Sequence, residues 1–420
     1  MAEELAIKGG PRAVPEGMVK TWPPITEADR DAVMSVFDSG QFHTRWAPKA
    51  KELERRWAEY CGAEHAILTN GGTQALHMAL AAVGVGPGDE VILPAFSYWS
   101  SAAAIIHANA VPVFVDIAPE VWTIDPALIA DVITDRTAAI MPVHIHGMPA
   151  DLDPILAVAR EHGIPVVDDA AQAQGARYRG KTIGGLTDVT ATSLNRLKNL
   201  TGGEGGLVAT NNDAYAACAA AMGGMGPVTV EVGGAERMFF GHGYNYRPQE
   251  FMAALALSQL DRLDEYNAQR REMADYLTAR LGEIPGIAGP VTPDYADPVH
   301  FMYVIEFRPE ELDLDLSVAD LKSAAWKALE AEGVEVLQWQ REIMPAMSFF
   351  QDEAGYGRAC PWVCGASKRT YDPSAYPISQ DFVASHAYLR GVFPPNGMEL
   401  MERYAEAFGK VLGAISTLSA

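Results

Sequence analysis

The feature that most constrains this chain is a regular alternation, from about residue 65, of short apolar runs with helix-length amphipathic segments. His65 to Thr69, Glu90 to Pro94, Val111 to Ile117, Ala138 to His144 and Ile164 to Asp168 read as strands, each followed by a helix. Runs such as Val-Ile-Leu and Val-Pro-Val-Phe-Val have no polar alternation, so these strands are expected to be covered on both faces. Repeated strand-helix units of this kind build an α/β fold around a mostly parallel sheet. Two further strands, Val189 to Leu194 and Gly206 to Thr210, flank a glycine-rich turn, and one long helical region runs from about Gln249 past Arg280.

Gly286 to Pro298 is rich in Pro, Gly and Asp and reads as a connection between domains. The expected division is a large domain over 1–285 and a smaller C-terminal α/β domain over 286–420. In the smaller one, His300 to Arg308 is a strand, and Val318 to Glu332 and Gly397 to Leu412 are helices. Near the start, Thr26-Glu-Ala-Asp29 resembles a capping box with Asp in place of Glu, and Gly40 would end that helix.

A net charge of −22 repels phosphate backbones and anionic lipids, which argues against nucleic acid and membrane as partners. The most apolar stretch, Ala102 to Val115, is interrupted by His107, Asn109 and Pro112, short of the roughly 20 apolar residues a membrane span needs. The acidic start lacks a secretory pattern, so a soluble cytoplasmic protein is expected. Cys61, Cys218, Cys360 and Cys364 match no zinc or redox spacing and read as free thiols.

One motif misleads. Gly175-Ala-Arg-Tyr-Arg-Gly180-Lys181-Thr182 satisfies the P-loop pattern of a nucleotide-hydrolysing enzyme. A phosphate-cradling loop must open a helix, yet Ile-Gly-Gly-Leu-Thr-Asp follows, so an exposed hairpin or turn is the better reading. His144-Ile-His146 has two imidazoles at strand spacing but no third ligand nearby, so no metal site is expected.

Four other segments sit where open α/β sheets place ligands, at the carboxyl ends of strands. Asn70-Gly71-Gly72-Thr73 falls between a strand and a helix and offers amides and a hydroxyl to a phosphate. Tyr98 follows the strand ending at Pro94, and Asp169 ends Val166-Val-Asp-Asp169. Lys198 lies in Ser193-Leu-Asn-Arg-Leu-Lys198-Asn199, before glycines that permit close approach of backbone to a ligand. Singly, each has an ordinary explanation: an N-cap, a core aromatic, a strand-ending acidic pair, a solvated lysine. Together they match what pyridoxal-phosphate chemistry asks of a protein: a lysine to bond the cofactor, a carboxylate for the ring nitrogen, donors for the phosphate and an aromatic for the ring face.

The order of these motifs, with Asp-Asp-Ala-Ala-Gln172, Gly-Glu204-Gly-Gly206 and Gly243-Tyr-Asn-Tyr-Arg247, closely resembles the DegT/StrS family of sugar aminotransferases. The similarity runs through the first two-thirds of the chain, with a weaker echo at the C-terminus. It implies a fold-type I pyridoxal-phosphate enzyme and a homodimer with shared active sites. It also implies an amino group moved from glutamate or glutamine to a keto-sugar or keto-cyclitol. Residue by residue, it implies that Lys198 carries the cofactor and moves the proton, Asp169 pairs with the ring nitrogen, Gln172 lies near the phenolic oxygen and Tyr98 covers the ring. Gly72, Thr73 and Ser193 would contact the phosphate, with Asn245 reaching it from the neighbouring subunit; Asn195 and Arg247 are substrate-side candidates.

Leu194 stands where phenylalanine is usual and Asp168 where glutamate is usual. The segment Leu337 to Tyr376 lacks the family's Pro-Leu-His and weakens inference about substrate, whereas Ile7-Lys-Gly-Gly-Pro11 resembles the opening of members that aminate inosose-type cyclitols. The alternatives are a dehydratase or aromatising synthase of the same fold, the P-loop NTPase, and a non-catalytic scaffold. Lys198 argues against dehydratases that carry histidine there, but not against an aromatising enzyme.

Overall fold

The computed structural model describes residues 4–42, 47–224, 227–232, 235–240, 243–352, 355, 359–363 and 369–418. Seven strands build its main layer: β1 (His65–Thr69), β2 (Glu90–Pro94), β3 (Val111–Val115), β4 (Thr137–Ile140), β5 (Val167–Asp169), β6 (Val189–Ser193) and β7 (Gly206–Thr210). They form a four-stranded sheet in the order β1-β7-β6-β5 and a three-stranded sheet in the order β3-β2-β4. Parallel bridges Ile140↔Val166 and Val143↔Asp169 join the two. Only β7 runs antiparallel to its neighbours, so the expected mostly parallel sheet is present.

Helices follow as α1 (Glu27–Ser39), α2 (Pro48–Cys61), α3 (Gly72–Ala82), α4 (Trp99–His107), α5 (Leu152–His162), α6 (Asp213–Gly223), α7 (Glu250–Leu260), α8 (Leu263–Leu281) and α9 (Val318–Glu332). Successive side chains of a strand point to opposite faces, and β2 shows the result. Val91 and Leu93 pack with α3, α4 and α6, whereas Ile92 packs with α5. Leu68 and Leu207 meet α2 and α7. The sheet is thus buried on both sides, which is why its strands lack polar alternation.

The capping box forms as expected: the Thr26 amide donates to Asp29 Oδ2 at 2.8 Å, and Gly40 ends α1 in the left-handed region. Several expectations need correction. The strands expected over Val111 to Ile117 and Ala138 to His144 stop at Val115 and Ile140, and β3 is followed by 3-10 turns at Pro126–Leu128 and Ala130–Val132 rather than an α-helix. The single long helix is two, α7 and α8. Arg262 leaves helical geometry between them, its guanidinium held by the buried Asp29 of α1 at 2.6 Å. Cys61 and Cys218 are free, but Cys360 is disulfide-bonded, so free thiols do not hold throughout. Cys364 and much of the segment around it lie outside the described residues.

In the C-terminal half, Ile287–Ala288, Tyr303–Phe307, His386–Leu389 and Val336–Leu337 form an antiparallel sheet in that order. The strand expected over His300 to Arg308 is therefore shorter, and the connection Gly286 to Pro298 contributes two short strands, Ile287–Ala288 to this sheet and Ala296–Asp297 beside Arg177–Tyr178. The core behind this sheet draws on α9 and the helix Met398–Gly413, and also on Leu5, Val14 and four residues of α8, Met273, Ala274, Leu277 and Leu281. The buried Glu332 carboxylate fixes the N-terminal segment there, accepting from the Ala6 and Ala13 amides and from Lys410. Gly175 to Thr182 forms the hairpin Arg177–Tyr178/Lys181–Thr182, turning through Arg179 and Gly180 at positive φ; no helix begins there, and the P-loop alternative falls. No helix among the described residues is long and apolar enough to cross a membrane.

Candidate active site

The carboxyl ends of β1, β2, β5 and β6 bring the candidate residues to one edge of the sheet. Gly71 is the N-cap of α3, so Gly72 and Thr73 occupy its first turn, where amides have no helical partner. A Cβ on Gly72 would lie 2.7 Å from the Ser193 Cβ, so only glycine lets the end of β6 approach the helix start. Thr73 Oγ1 donates to Ser100 Oγ at 2.9 Å, adding α4 to the same cluster. Helix amides, small hydroxyls and a tight glycine contact make an anion cradle.

Asp169 is buried, and its Oδ2 accepts from Ser101 Oγ at 2.7 Å while Oδ1 accepts from the Ala171 amide at 3.0 Å. Burial raises its pKa above the usual carboxylate range, opposed by those hydrogen bonds and by the charges of Lys198 and His144. Lys198 shows the complementary effect. Burial pulls its pKa down to about 8, against the pull of Asp169, and its Nζ lies 4.2 Å from the Phe301 ring centroid. The Lys198 carbonyl accepts from Trp22 Nε1 at 3.0 Å, which ties the loop to the N-terminal segment.

Gln172 is buried, and its Oε1 accepts from the His146 amide at 2.7 Å. His146 adopts φ 56° and sits 3.3 Å from Tyr388 Oη, while His144 Nδ1 accepts from the Ala150 amide and its Nε2 lies 3.4 Å from Asp168. The two imidazoles therefore do not converge on a common ligand position. Tyr98 precedes α4 with its ring half exposed, stacked on Trp339 at 5.9 Å and 21°. Asn195 is engaged within its own loop, Nδ2 donating to Glu204 and Oδ1 accepting from the Leu197 amide. Asn245 and Arg247 are exposed and bonded to each other, with Asn245 at φ 61°. Between them, Tyr246 accepts from the Asn70 amide at 3.1 Å, seating this segment on the turn before α3.

Sequence reasoning missed Ser100, Ser101, Trp22, Phe301, Trp339 and Tyr388. The serines had a signal, a Ser-Tyr-Trp-Ser-Ser run at the carboxyl end of a strand. The aromatics had none, since nothing local distinguishes a site aromatic from a core one.

A family model described as the DegT/DnrJ/EryC1/StrS aminotransferase family matches residues 23–377. The chain belongs to this family. GDP-perosamine synthase of Caulobacter vibrioides is 42% identical over 261 residues, covering 61% of this chain and 68% of that protein. L-glutamine:scyllo-inosose aminotransferase of Streptomyces griseus is 37% identical over 355 residues, 82% of each. Among solved structures, the aminotransferase resembles Streptomyces venezuelae DesV with a TM-score of 0.77 and 31% identity, covering 91% of this chain and 94% of that one. It resembles 3-amino-5-hydroxybenzoic acid synthase with a TM-score of 0.81 and 29% identity, covering 94% and 98%. This is a pyridoxal-phosphate-dependent aminotransferase of fold type I. The residues fit the cofactor: a buried carboxylate, a lysine whose charge burial disfavours and an anion cradle lie along one sheet edge.

Proposed function

We propose that the enzyme moves an amino group from glutamine or glutamate to the ketone of a sugar or cyclitol. The observation that carries the reading is the opposed pair Asp169 and Lys198 beside the α3 cradle. When bound, pyridoxal phosphate supplies an electron sink that lets a proton leave the carbon bearing nitrogen. The Gly72 and Thr73 amides and the Ser193 hydroxyl would hold its phosphate. Asp169 would hold the ring nitrogen protonated, and the Gln172 amide would face the phenolic oxygen. Tyr98, backed by Trp339, would bound the ring face. Lys198, with its pKa lowered to about 8 by burial, would serve as the nucleophile that bonds the cofactor and as the base that carries the proton.

Asn245 and Arg247 stand exposed, consistent with service to the site of a second copy, so the working unit in this reading is a homodimer with shared sites. Asn195 orders the lysine loop through Glu204. For the acceptor, a cyclitol ketone is favoured by the 82% coverage shared with the scyllo-inosose aminotransferase and by the Ile7 to Pro11 opening. The likeness to an aromatising synthase keeps that reaction as a second reading.

The deciding experiment supplies keto-cyclitols and keto-sugars with ¹⁵N-labelled glutamine or glutamate and follows the label by mass spectrometry. A labelled amine on a saturated ring is expected. An unlabelled aromatic product would replace the reading with the aromatising one.

A further inference from the structure

Arg270 of α8 is completely buried, yet no carboxylate pairs with it among the described residues. Its Nη1 donates to the His300 carbonyl at 3.3 Å, and its Nε has no partner. The guanidinium carbon lies 4.3 Å from the Trp22 ring centroid and 5.3 Å from that of Phe393, so aromatic rings crowd it. Burial lowers its pKa to about 9, which still leaves it charged at neutral pH. Arg262, eight residues earlier at the N-cap of α8, shows the ordinary solution, a 2.6 Å pair with Asp29. A cation removed from water without an anion is costly unless a ligand supplies one.

Arg270 lines a cavity of about 730 Å³ whose other charged walls are Lys20, Arg196 and Arg390, all exposed, and Glu335, which is paired to Arg390 at 3.4 Å. In a chain of net charge −22, a cavity with this surplus of cations is a local reversal of sign, and it concentrates anions. The cavity shares walls with the lysine site. Phe301 lines it and carries Lys198 Nζ against its ring, and Trp22 lines it while donating to the Lys198 carbonyl.

We propose that this cavity is the subsite for the carboxylate of the amino donor, held by the guanidinium edge of Arg270. The proposal rests on the amino-acid donor assigned above. Rings against the guanidinium favour an in-plane approach, and a planar carboxylate meets that edge in forked geometry. A phosphate ester would bring a second negative charge into a pocket with a single buried cation. The exposed Lys20, Arg196 and Arg390 draw the anion in, and Arg270 fixes its orientation.

The test titrates the cofactor-loaded enzyme with glutaramate, which is glutamine without its amino group and cannot donate nitrogen, by calorimetry. One site per chain is expected, with Arg270→Gln weakening binding at least tenfold and Arg270→Lys falling between. Leu255→Trp fills the cavity without touching its charge and should weaken binding similarly, so it decides the matter if Arg270→Gln fails to fold. Pyrophosphate should not displace glutaramate. Failure of glutaramate to bind the wild-type enzyme, unchanged binding in the folded variants, or Arg270-dependent binding of pyrophosphate alone would overturn the subsite. Whether ¹⁵N-glutamine or glutamate transfers nitrogen to the cofactor is read separately by mass spectrometry. No transfer from either would sink the donor reading, whereas normal transfer with glutaramate binding unaffected by the variants would sink this subsite alone.

Discussion

At the residue scale, the proposed chemistry rests on two charges that burial disfavours and proximity restores. Burial raises Asp169 and lowers Lys198 to about 8, and each charge favours the ionised form of the other. The neutral amine is the form that bonds an aldehyde, so in the cofactor-free protein the rate of pyridoxal-phosphate capture should climb with pH and level off above about 8. Stopped-flow absorbance across that range checks it; a rise centred near 10 would place the lysine in a solvated setting. Lys198→Ala should abolish turnover while the α3 cradle still retains some cofactor, and borohydride should fix the cofactor to the Lys198 peptide of the unmodified enzyme. A label on Lys181, in the exposed part of the hairpin, would remove Lys198 from its role. Asp169→Asn keeps the size of the side chain but cannot hold a proton on the ring nitrogen. Turnover should drop on the order of 100-fold or more with little change in thermal unfolding, as for loss of a single preorganised electrostatic contact.

At the element scale, the site exists because strand ends and helix starts meet at one edge. Gly72 at the start of α3 and Ser193 at the end of β6 are packed so closely that a methyl group has no space. Gly72→Ala should therefore push the two elements apart and weaken cofactor binding by roughly 10- to 100-fold, the cost of one or two charge-assisted hydrogen bonds. Equilibrium titration of the cofactor-free variant reads this directly, and wild-type affinity would show that the cradle does not depend on this contact. The break between α7 and α8 belongs to the same scale. Arg262 pairs with Asp29 on α1, while the following helix carries Asn267 toward Asn199, the residue after the lysine, at 2.9 Å.

At the scale of the whole molecule, the two halves are not independent. The N-terminal segment packs into the C-terminal core through Leu5 and Val14, then returns so that Trp22 reaches the lysine loop. If Asn245 serves a partner's site, two defects on different chains should complement. Asn245→Asp sets a carboxylate beside the cofactor phosphate and should cost cofactor and activity, since like charges at contact repel. A mixed dimer with Lys198→Ala gathers both defects in one site and leaves the other intact, so about half of wild-type activity is expected from a symmetric pair. A folded, inactive mixed dimer holding no reducible cofactor would refute the shared site; one reducible cofactor per dimer would instead show that the two sites are coupled.

What the sequence alone determined was whatever is encoded locally. Unbroken apolar runs announced the doubly covered sheet, the Asn70 to Thr73 turn announced a helix start, and Ile-Gly-Gly after Thr182 marked the P-loop match as a hairpin, because a helix cannot begin there cheaply. Tertiary structure decided the rest. That Ser101 supports Asp169, that Trp22 clamps the Lys198 loop, that Trp339 backs Tyr98 and that Arg270 is left without an acid are relations between residues far apart in the chain. Periodicity reports which face of its own element a residue occupies, and it carries no information about which other element that face will meet. The split between α7 and α8 falls at Arg262, whose partner Asp29 lies on α1, a contact that local propensity does not encode.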